Sequence, residues 1–160
     1  MNKIGFGGGC HWCTEAVFQS LRGVETVAQG WIASSSPNDA FSEAVIVTFD
    51  SEEIELSTLI QVHLMTHSSE SVHPLRHKYR SAIYYDDEVM RIAAQDILDQ
   101  IKSEWNRPFV TQILPLVEFK ENQEKYLNYY QKNPTAPFCK NYIDPKLSLI
   151  KQQFSKNSKV

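Results

Sequence analysis

Apolar residues recur along this chain with two periods, and the switches between them outline its elements. Lys3-Ile4-Gly5-Phe6 reads as a short strand, after which Ala16, Val17, Phe18 and Leu21 return at helical spacing until Gly23 ends the pattern. Val24 to Ile32 is β-rich and alternating, Ser34-Ser35-Ser36-Pro37-Asn38-Asp39 is turn-forming, and Glu43 to Phe49 is the clearest strand. A helix is expected from Ser57, as its N-cap, through Thr66. Ser68 to Lys78 is a polar, histidine-containing connection with Pro74 inside it, long enough to carry function. Ser81 to Tyr85 predicts another strand. Asp86-Asp87-Glu88 then leads into a helix reaching about Glu104, with Val89, Ile92, Ala93, Ile97 and Ile101 as its apolar stripe.

The order strand, helix, strand, strand, helix, strand is the split β-α-β pattern of ferredoxin-like folds. Beyond it, Phe109 to Leu114 predicts an added strand and Asn122 to Lys132 a helix. Asn133-Pro134-Thr135-Ala136-Pro137 begins an irregular tail holding Cys139, Lys146 to Phe154 forms a last helix, and Ser155 to Val160 reads as disordered. The fold class is α+β. With 160 residues and 42% hydrophobic composition, the chain builds one core, so residues 1–160 are expected to form a single domain and a monomer.

Charge and composition narrow the function. The net charge is −3 and no basic cluster could follow a phosphate backbone, so nucleic acid is excluded as an expected partner. No run approaches the ~20 apolar residues of a membrane span. The N-terminus lacks a secretory pattern, which makes the cytoplasm the expected location. Three cysteines are too few for a disulfide scaffold and suit catalysis in a reducing compartment. Cys10, Cys13 and five histidines invite zinc, but no second closely spaced Cys or His pair follows, so no metal site is expected.

The chemistry concentrates in Gly7-Gly8-Gly9-Cys10-His11-Trp12-Cys13-Thr14-Glu15-Ala16, where a glycine run delivers a cysteine to a strand-to-helix junction. Unpaired N–H groups and the positive end of the helix dipole favour an anion there, lowering the thiol pKa. Cys10 is therefore the candidate nucleophile. A lone cysteine beside a turn is more often a buried structural residue. The glycines, the second cysteine one turn on and the adjacent Trp12 reverse that balance.

These residues, taken with later blocks, resemble the peptide methionine sulfoxide reductase A family, which acts on the S epimer of the sulfoxide. Gly9-Cys10-His11-Trp12 stands for the family's Gly-Cys-Phe-Trp, and Cys13-Thr14-Glu15-Ala16-Val17-Phe18 matches a common branch of it. Ala40-Phe41-Ser42-Glu43-Ala44-Val45 occupies the place of its Gly-His-Ala-Glu block, and Arg76-His77-Lys78-Tyr79-Arg80-Ser81 that of Gly-Thr-Gln-Tyr-Arg-Ser. Phe138-Cys139-Lys140 with Ile143-Asp144-Pro145-Lys146-Leu147 is similar to its C-terminal cysteine segment.

The resemblance implies that the Cys10 thiolate attacks the sulfoxide sulfur, Glu43 protonates the oxygen, and a sulfenic acid remains on Cys10. Partial burial beside aromatics would keep Glu43 protonated. Trp12 would line the pocket for the ε-methyl group and Tyr79 would donate to the oxygen. No bound cofactor is implied; regeneration would use an external thiol, thioredoxin or dithiothreitol, and the substrates would be methionine sulfoxide-containing proteins or free methionine sulfoxide. Two thiols can resolve the sulfenic acid. Cys139 matches the family's recycling cysteine in a segment able to swing toward Cys10, and is favoured. Cys13 is closer in sequence, but its side chain one helical turn on need not reach the sulfenic sulfur without end-fraying.

Several positions depart from the pattern. His11 replaces Phe, Trp31 replaces a Tyr that helps hold the oxygen, Pro74 stands where Asp is expected, and Leu127 replaces a His. Trp31 still offers an N–H donor. His11 adds an ionisable ring whose ordinary titration lies near neutrality, so it either faces the thiol as a charge switch or packs as pocket wall. Two other classes remain on the residues alone. Cys10-His11-Trp12-Cys13 could serve a thioredoxin-like dithiol oxidoreductase, although a motif of that kind follows a long apolar strand rather than three glycines. A catalytically silent module could instead bind methionine segments through His11, Trp12 and Trp31.

Overall fold

The computed structural model describes residues 1–71 and 75–159, so Pro74 lies outside the described residues. Its elements begin with β1 (Asn2–Gly7), α1 (His11–Gln19), β2 (Val24–Ala33), β3 (Ser42–Phe49), α2 (Leu56–Thr66) and β4 (Ala82–Tyr85), the predicted split pattern. β3 pairs antiparallel with both β1 and β2, and β4 joins the far side of β1, giving the ferredoxin-like order β4-β1-β3-β2. A strand lies between β1 and β2 because α1 carries the chain over β3 before it returns.

The period-two pattern of β3 decides what each sheet face holds. Val45, Val47 and Phe49 join Ile4 and Phe6 of β1 in the main core, beneath Val17 and Phe18 of α1, Leu59, Ile60 and Val62 of α2, and Leu98 and Ile101 of α3 (Glu88–Trp105). Ala44, Ile32, Ala82 and Tyr84 form a smaller cluster on the opposite face. Glu43 shares the phase of Val45, so it stands on the helix-covered face, at the end of β3 nearest Cys10.

β5 (Gln112–Pro115) extends the sheet parallel to β4, and β6 (Glu118–Glu121) closes its other edge against β2. The expected added strand is thus shorter and later than 109–114. β6 went unread because four residues with one half-buried phenylalanine carry no burial pattern. Gly30 permits its approach: a Cβ there would lie 2.1 Å from the Lys120 carbonyl oxygen.

Other expectations are corrected. Ser57 is not the cap of α2; Glu55 holds that position without a side-chain cap bond, and Ser57 Oγ accepts from Gln61 Nε2 at 3.2 Å. On α3, Val89 and Ile92 are 79% and 49% exposed, and the buried stripe is Ala94, Leu98 and Ile101 with half-buried Met90 and Ile97. The apolar residues of this helix supported both phases, and docking on α2, β4 and β5 selects one. The helix expected over 122–132 is a 3₁₀ turn (Glu124–Tyr126) and a short α4 (Tyr129–Lys132), broken at Asn128, which adopts φ 55°. Buried Glu15 accounts for the break, since its carboxylate accepts the backbone N–H groups of Asn128 at 3.0 Å and Tyr129 at 3.3 Å.

The tail is ordered rather than irregular. Cys139–Ile143 forms a π-helical turn running into α5 (Asp144–Gln153). Of the stretch expected to be disordered, Val160 lies outside the described residues, and the rest pairs with the segment after α1: Ser158 bridges Leu21, and Lys159 N–H donates to the Ser20 carbonyl at 2.8 Å.

Candidate active site

β1 ends in glycines and α1 begins one residue after Cys10. Gly8 has φ 147°, and a Cβ there would fall 2.4 Å from the His67 ring, so glycine is required on both conformational and steric grounds. Cys10 takes extended backbone angles at the N-cap position, and its carbonyl accepts the N–H groups of Cys13 and Thr14 at 3.1 Å each. Its side chain makes no capping hydrogen bond and packs against the buried cluster that holds Cys13 and Cys139. The Cys13 hydrogen bond is the main cause that lowers the Cys10 pKa; burial and the Glu43 charge oppose it. Donating that bond pushes the Cys13 thiol up, with burial adding to the rise.

On one side of Cys10 stand the acid and its partners. Glu43 is buried, and its Oε1 accepts the backbone N–H of His11 at 3.2 Å. The same oxygen lies 3.5 Å from His11 Nε2, while Oε2 is 3.8 Å from Lys78 Nζ. Trp31 is the cross-strand partner of Glu43, and its ring meets His11 edge-on at 5.2 Å. The Tyr79 phenol is the main cause raising the Lys78 pKa, and the ammonium lies 5.1 Å above the Tyr79 ring. The connection carrying Tyr79 is tied down by Arg76, whose guanidinium donates to the carbonyls of Gly8 at 3.2 Å, Tyr79 at 3.0 Å and Ser71 at 2.7 Å. Trp12 stacks on Tyr129 at 4.0 Å and meets Phe138 edge-on at 5.6 Å, so the tail supplies part of the aromatic wall.

On the other side a cavity of about 310 Å³ is lined by Cys10, Cys13, His63, His67, Phe138 and Lys146, among others, but not by Glu43, Tyr79, Trp12 or Trp31. Apart from Cys10, every resolved shift here disfavours charge. Burial pushes His63 well below its usual range and His67 to about 4, lowers Lys146, and raises Cys139. Cys139 is fully buried in a cluster with Cys13, Ala16 and Ile143, against which Cys10 packs.

Sequence reasoning singled out Cys10, His11, Trp12, Trp31, Glu43, Tyr79 and Cys139; the fold groups His11, Trp12, Trp31, Glu43 and, through Lys78, Tyr79 on one side, with Cys10 between them and the buried Cys139. The His11 ring bonds the Gly30 carbonyl through Nδ1 at 3.2 Å and turns Nε2 toward Glu43. Cys139 lies buried in a π-helical turn rather than in an irregular segment, and Cys13 is the thiol that most lowers the Cys10 pKa. Lys78, Glu15, Tyr129 and Lys146 were missed as site residues. Lys78 was legible beside Tyr79, and Glu15 one turn after His11, but nothing local announced the long-range partners. Among the described residues no group of three or more His, Cys, Asp or Glu could hold a metal ion, and no helix is long and apolar enough to cross a membrane.

Comparison with known proteins identifies the family. The family model for peptide methionine sulfoxide reductase matches residues 2–158. The chain is 34% identical over 165 residues to peptide methionine sulfoxide reductase MsrA of Deinococcus radiodurans, covering 93% of this chain and 80% of that protein. Among solved structures it resembles Mxr1 from Saccharomyces cerevisiae in reduced form, with TM-score 0.72 and 21% identity over 86% of this chain and 88% of that one. It also resembles Mxr1 in complex with Trx2, with TM-score 0.63 and 17% identity over 78% and 82% of the two chains. At those identities the solved structures speak to the fold.

Proposed function

Because the chain belongs to the peptide methionine sulfoxide reductase family and is an oxidoreductase acting on methionine sulfoxide, we propose that Cys10 is its nucleophile, Glu43 its acid and the S epimer its substrate, free or within proteins. The observation carrying this reading is a thiol of lowered pKa at the start of α1 with a buried carboxylic acid on one side of it. The Cys10 thiolate attacks the sulfoxide sulfur, Glu43 gives its proton to the oxygen, and the S–O bond breaks as oxygen passes to Cys10; methionine leaves and Cys10 becomes a sulfenic acid. Tyr79 and the Trp31 indole are the candidate donors to that oxygen, replacing bonds the sulfoxide makes to water. Trp12, with His11 beside it, forms the wall for the methyl group.

Contact between the two thiols supports Cys13 as the first resolving group: Cys10–SOH and Cys13–SH condense to a Cys10–Cys13 disulfide and water. Burial of Cys139 beside Cys13 supports a second exchange, in which Cys139 takes the disulfide and frees Cys10. A dithiol of the thioredoxin class then reduces the protein. That partner is supported by the likeness to a relative solved in complex with Trx2. No bound prosthetic group enters these steps, and dithiothreitol can replace the protein reductant. The reading keeps residues 1–160 as one catalytic domain.

Turnover of a methionine sulfoxide peptide with dithiothreitol tests the proposal. Consumption of the S epimer alone is expected, with loss of all activity in Cys10→Ser because a hydroxyl is a far weaker nucleophile than a thiolate. Retained activity in that variant, or equal loss of both epimers, would overturn it. A silent binding module consumes neither epimer, and a dithiol exchanger reduces insulin instead. Mass mapping after one turnover locates the first disulfide; a direct Cys10–Cys139 link formed in Cys13→Ser at the wild-type rate would remove Cys13 from the path.

A further inference from the structure

Trp12, Glu15 and Gln19 follow one another at spacings of three and four along α1, so they share one face of the helix. Each finds a partner in the segment that carries α4. Trp12 lies flat on Tyr129, with ring centroids 4.0 Å apart and planes 3° from parallel. Glu15 is only 2% exposed, and its two oxygens take one N–H each, Oε2 that of Asn128 at 3.0 Å and Oε1 that of Tyr129 at 3.3 Å. Gln19 Nε2 donates to Asn128 Oδ1 at 2.8 Å. Burial raises the Glu15 pKa, and the N–H groups of Asn128 and Tyr129 act against that rise.

The Trp12 ring depends on such support. Among the described residues its Nε1 has no hydrogen-bond partner, so packing fixes the indole. The His11 and Tyr126 rings lie tilted to it at 6.5 Å each and Phe138 stands edge-on at 5.6 Å, which leaves Tyr129 as the ring that covers a face in parallel. Tyr129 is placed in turn by its backbone. Asn128 before it takes φ 55°, a conformation that residues other than glycine keep where their surroundings over-determine it. Glu15 and Gln19 supply that determination by binding the backbone and the side chain of Asn128. We propose that Glu15 is a positioning residue for sulfoxide binding, which clamps Asn128 and Tyr129 so that the Tyr129 ring holds Trp12 as the wall for the methyl group. The inference rests on the reading of Trp12 as that wall.

The flanks of the clamped turn are held by other contacts. Gln29 Nε2 donates to the Tyr126 carbonyl at 3.1 Å, and the Tyr130 hydroxyl donates to Asp144 Oδ1 at 2.7 Å. Loss of the Glu15 carboxylate therefore frees the turn at 128–129 while β2 and α5 keep the segment in place. The indole stays on α1 but loses its parallel neighbour, and sulfoxide binding must then order a wall that the clamp had ordered beforehand. Glu15 bonds the tail and not the nucleophile or the acid, so its loss falls on binding more than on the chemical step.

The test is single-turnover sulfenic acid formation measured against the concentration of a methionine S-sulfoxide peptide, which separates half-saturation from limiting rate. Tyr129→Leu and Glu15→Gln should each raise the half-saturating concentration roughly fivefold, the size of one aromatic stacking contact. The limiting rate should stay within about twofold of wild type. Tyr129→Phe keeps the ring and should keep the wild-type value. The double variant Glu15→Gln/Tyr129→Leu should be no weaker than either single one, because both act through one ring. Wild-type half-saturation in Tyr129→Leu or Glu15→Gln, factors that multiply in the double variant, or a loss confined to the limiting rate overturns the inference. Proton NMR reads the clamp without turnover: the Tyr129 ring should shift Trp12 ring protons upfield in the wild type, and Glu15→Gln should return them toward unstacked values. Unchanged shifts in that variant overturn the clamp. Trp12→Leu checks the wall itself, and wild-type half-saturation there would remove Trp12 as the methyl wall, and this inference with it.

Discussion

The two sides of Cys10 handle charge in opposite ways. Toward β2 and β3, ionisable groups face each other, with His11 and Lys78 on either oxygen of Glu43 and Tyr79 on Lys78. Toward α2 and α5, burial disfavours the charged forms of His63, His67, Lys146 and Cys139, and the bond to Cys10, with burial, does the same for Cys13. Cys10 lies at the boundary and is the one thiol whose pKa is lowered. Under the proposed mechanism the contrast suits a two-stage reaction: proton transfer to an oxygen needs a hydrogen-bonded acid, whereas resolving thiols are better kept neutral and unreactive until one is called on.

The largest expected break in this contrast is Glu43→Gln. Removing a positioned general acid costs about 10²–10⁴-fold in the chemical step, so single-turnover sulfenic acid formation should slow by at least about a hundredfold, with substrate binding changed less. A near wild-type rate would mean that Tyr79 or another group delivers the proton.

The opposite side can be probed through stability. His67 titrates at about 4 in the folded protein against about 6.5 when unfolded, so the unfolded chain binds more protons between those values. Stability from this group is complete above about pH 6.5 and is lost as pH falls toward 4. The shift corresponds to about 3 kcal/mol, as an order of magnitude, and His63 adds in the same direction. Urea unfolding at pH 7 and pH 4.5 should show the loss, and His67→Gln should flatten it. An equally steep dependence in that variant would place the acid sensitivity elsewhere.

The smallest effect sharpens the boundary itself. Since the Cys13 thiol is the main cause lowering the Cys10 pKa, Cys13→Ala should raise the pH midpoint of Cys10 alkylation. Cys13→Ser, which keeps a donor, should raise it less. Equal midpoints in wild type and Cys13→Ala would assign the effect to the backbone N–H groups of α1.

Much of the acid side was legible because its carriers sit in strongly periodic elements. The phase of Val45, Val47 and Phe49 already puts Glu43 on the buried face of β3, a signal stronger than the general rule that a lone glutamate faces solvent. The opposite side was not legible. Cys139 and Lys146 read as parts of an irregular tail and a plain helix because their partners, Cys13 and Thr66, lie 126 and 80 positions away in the chain. Lys146 Nζ donates to the Thr66 carbonyl, a contact no local pattern announces.

From the sequence alone came the βαββαβ order, the helix start at Cys10 and the reactive environment it creates, since hydrophobic period, glycine placement and the N–H groups of a first turn are local properties of the chain. Tertiary structure alone decided the face that α3 buries, the break at Asn128, the burial of Cys139 and the turn of His11 toward Glu43. Each depends on a buried polar group or apolar surface finding its partner across the fold. Glu15 takes the N–H groups that a continuous helix over 122–132 would have used, and the Gly30 carbonyl holds the His11 ring. A buried donor or acceptor without a partner costs more than a local preference can repay, so such pairings override what the neighbouring sequence favours.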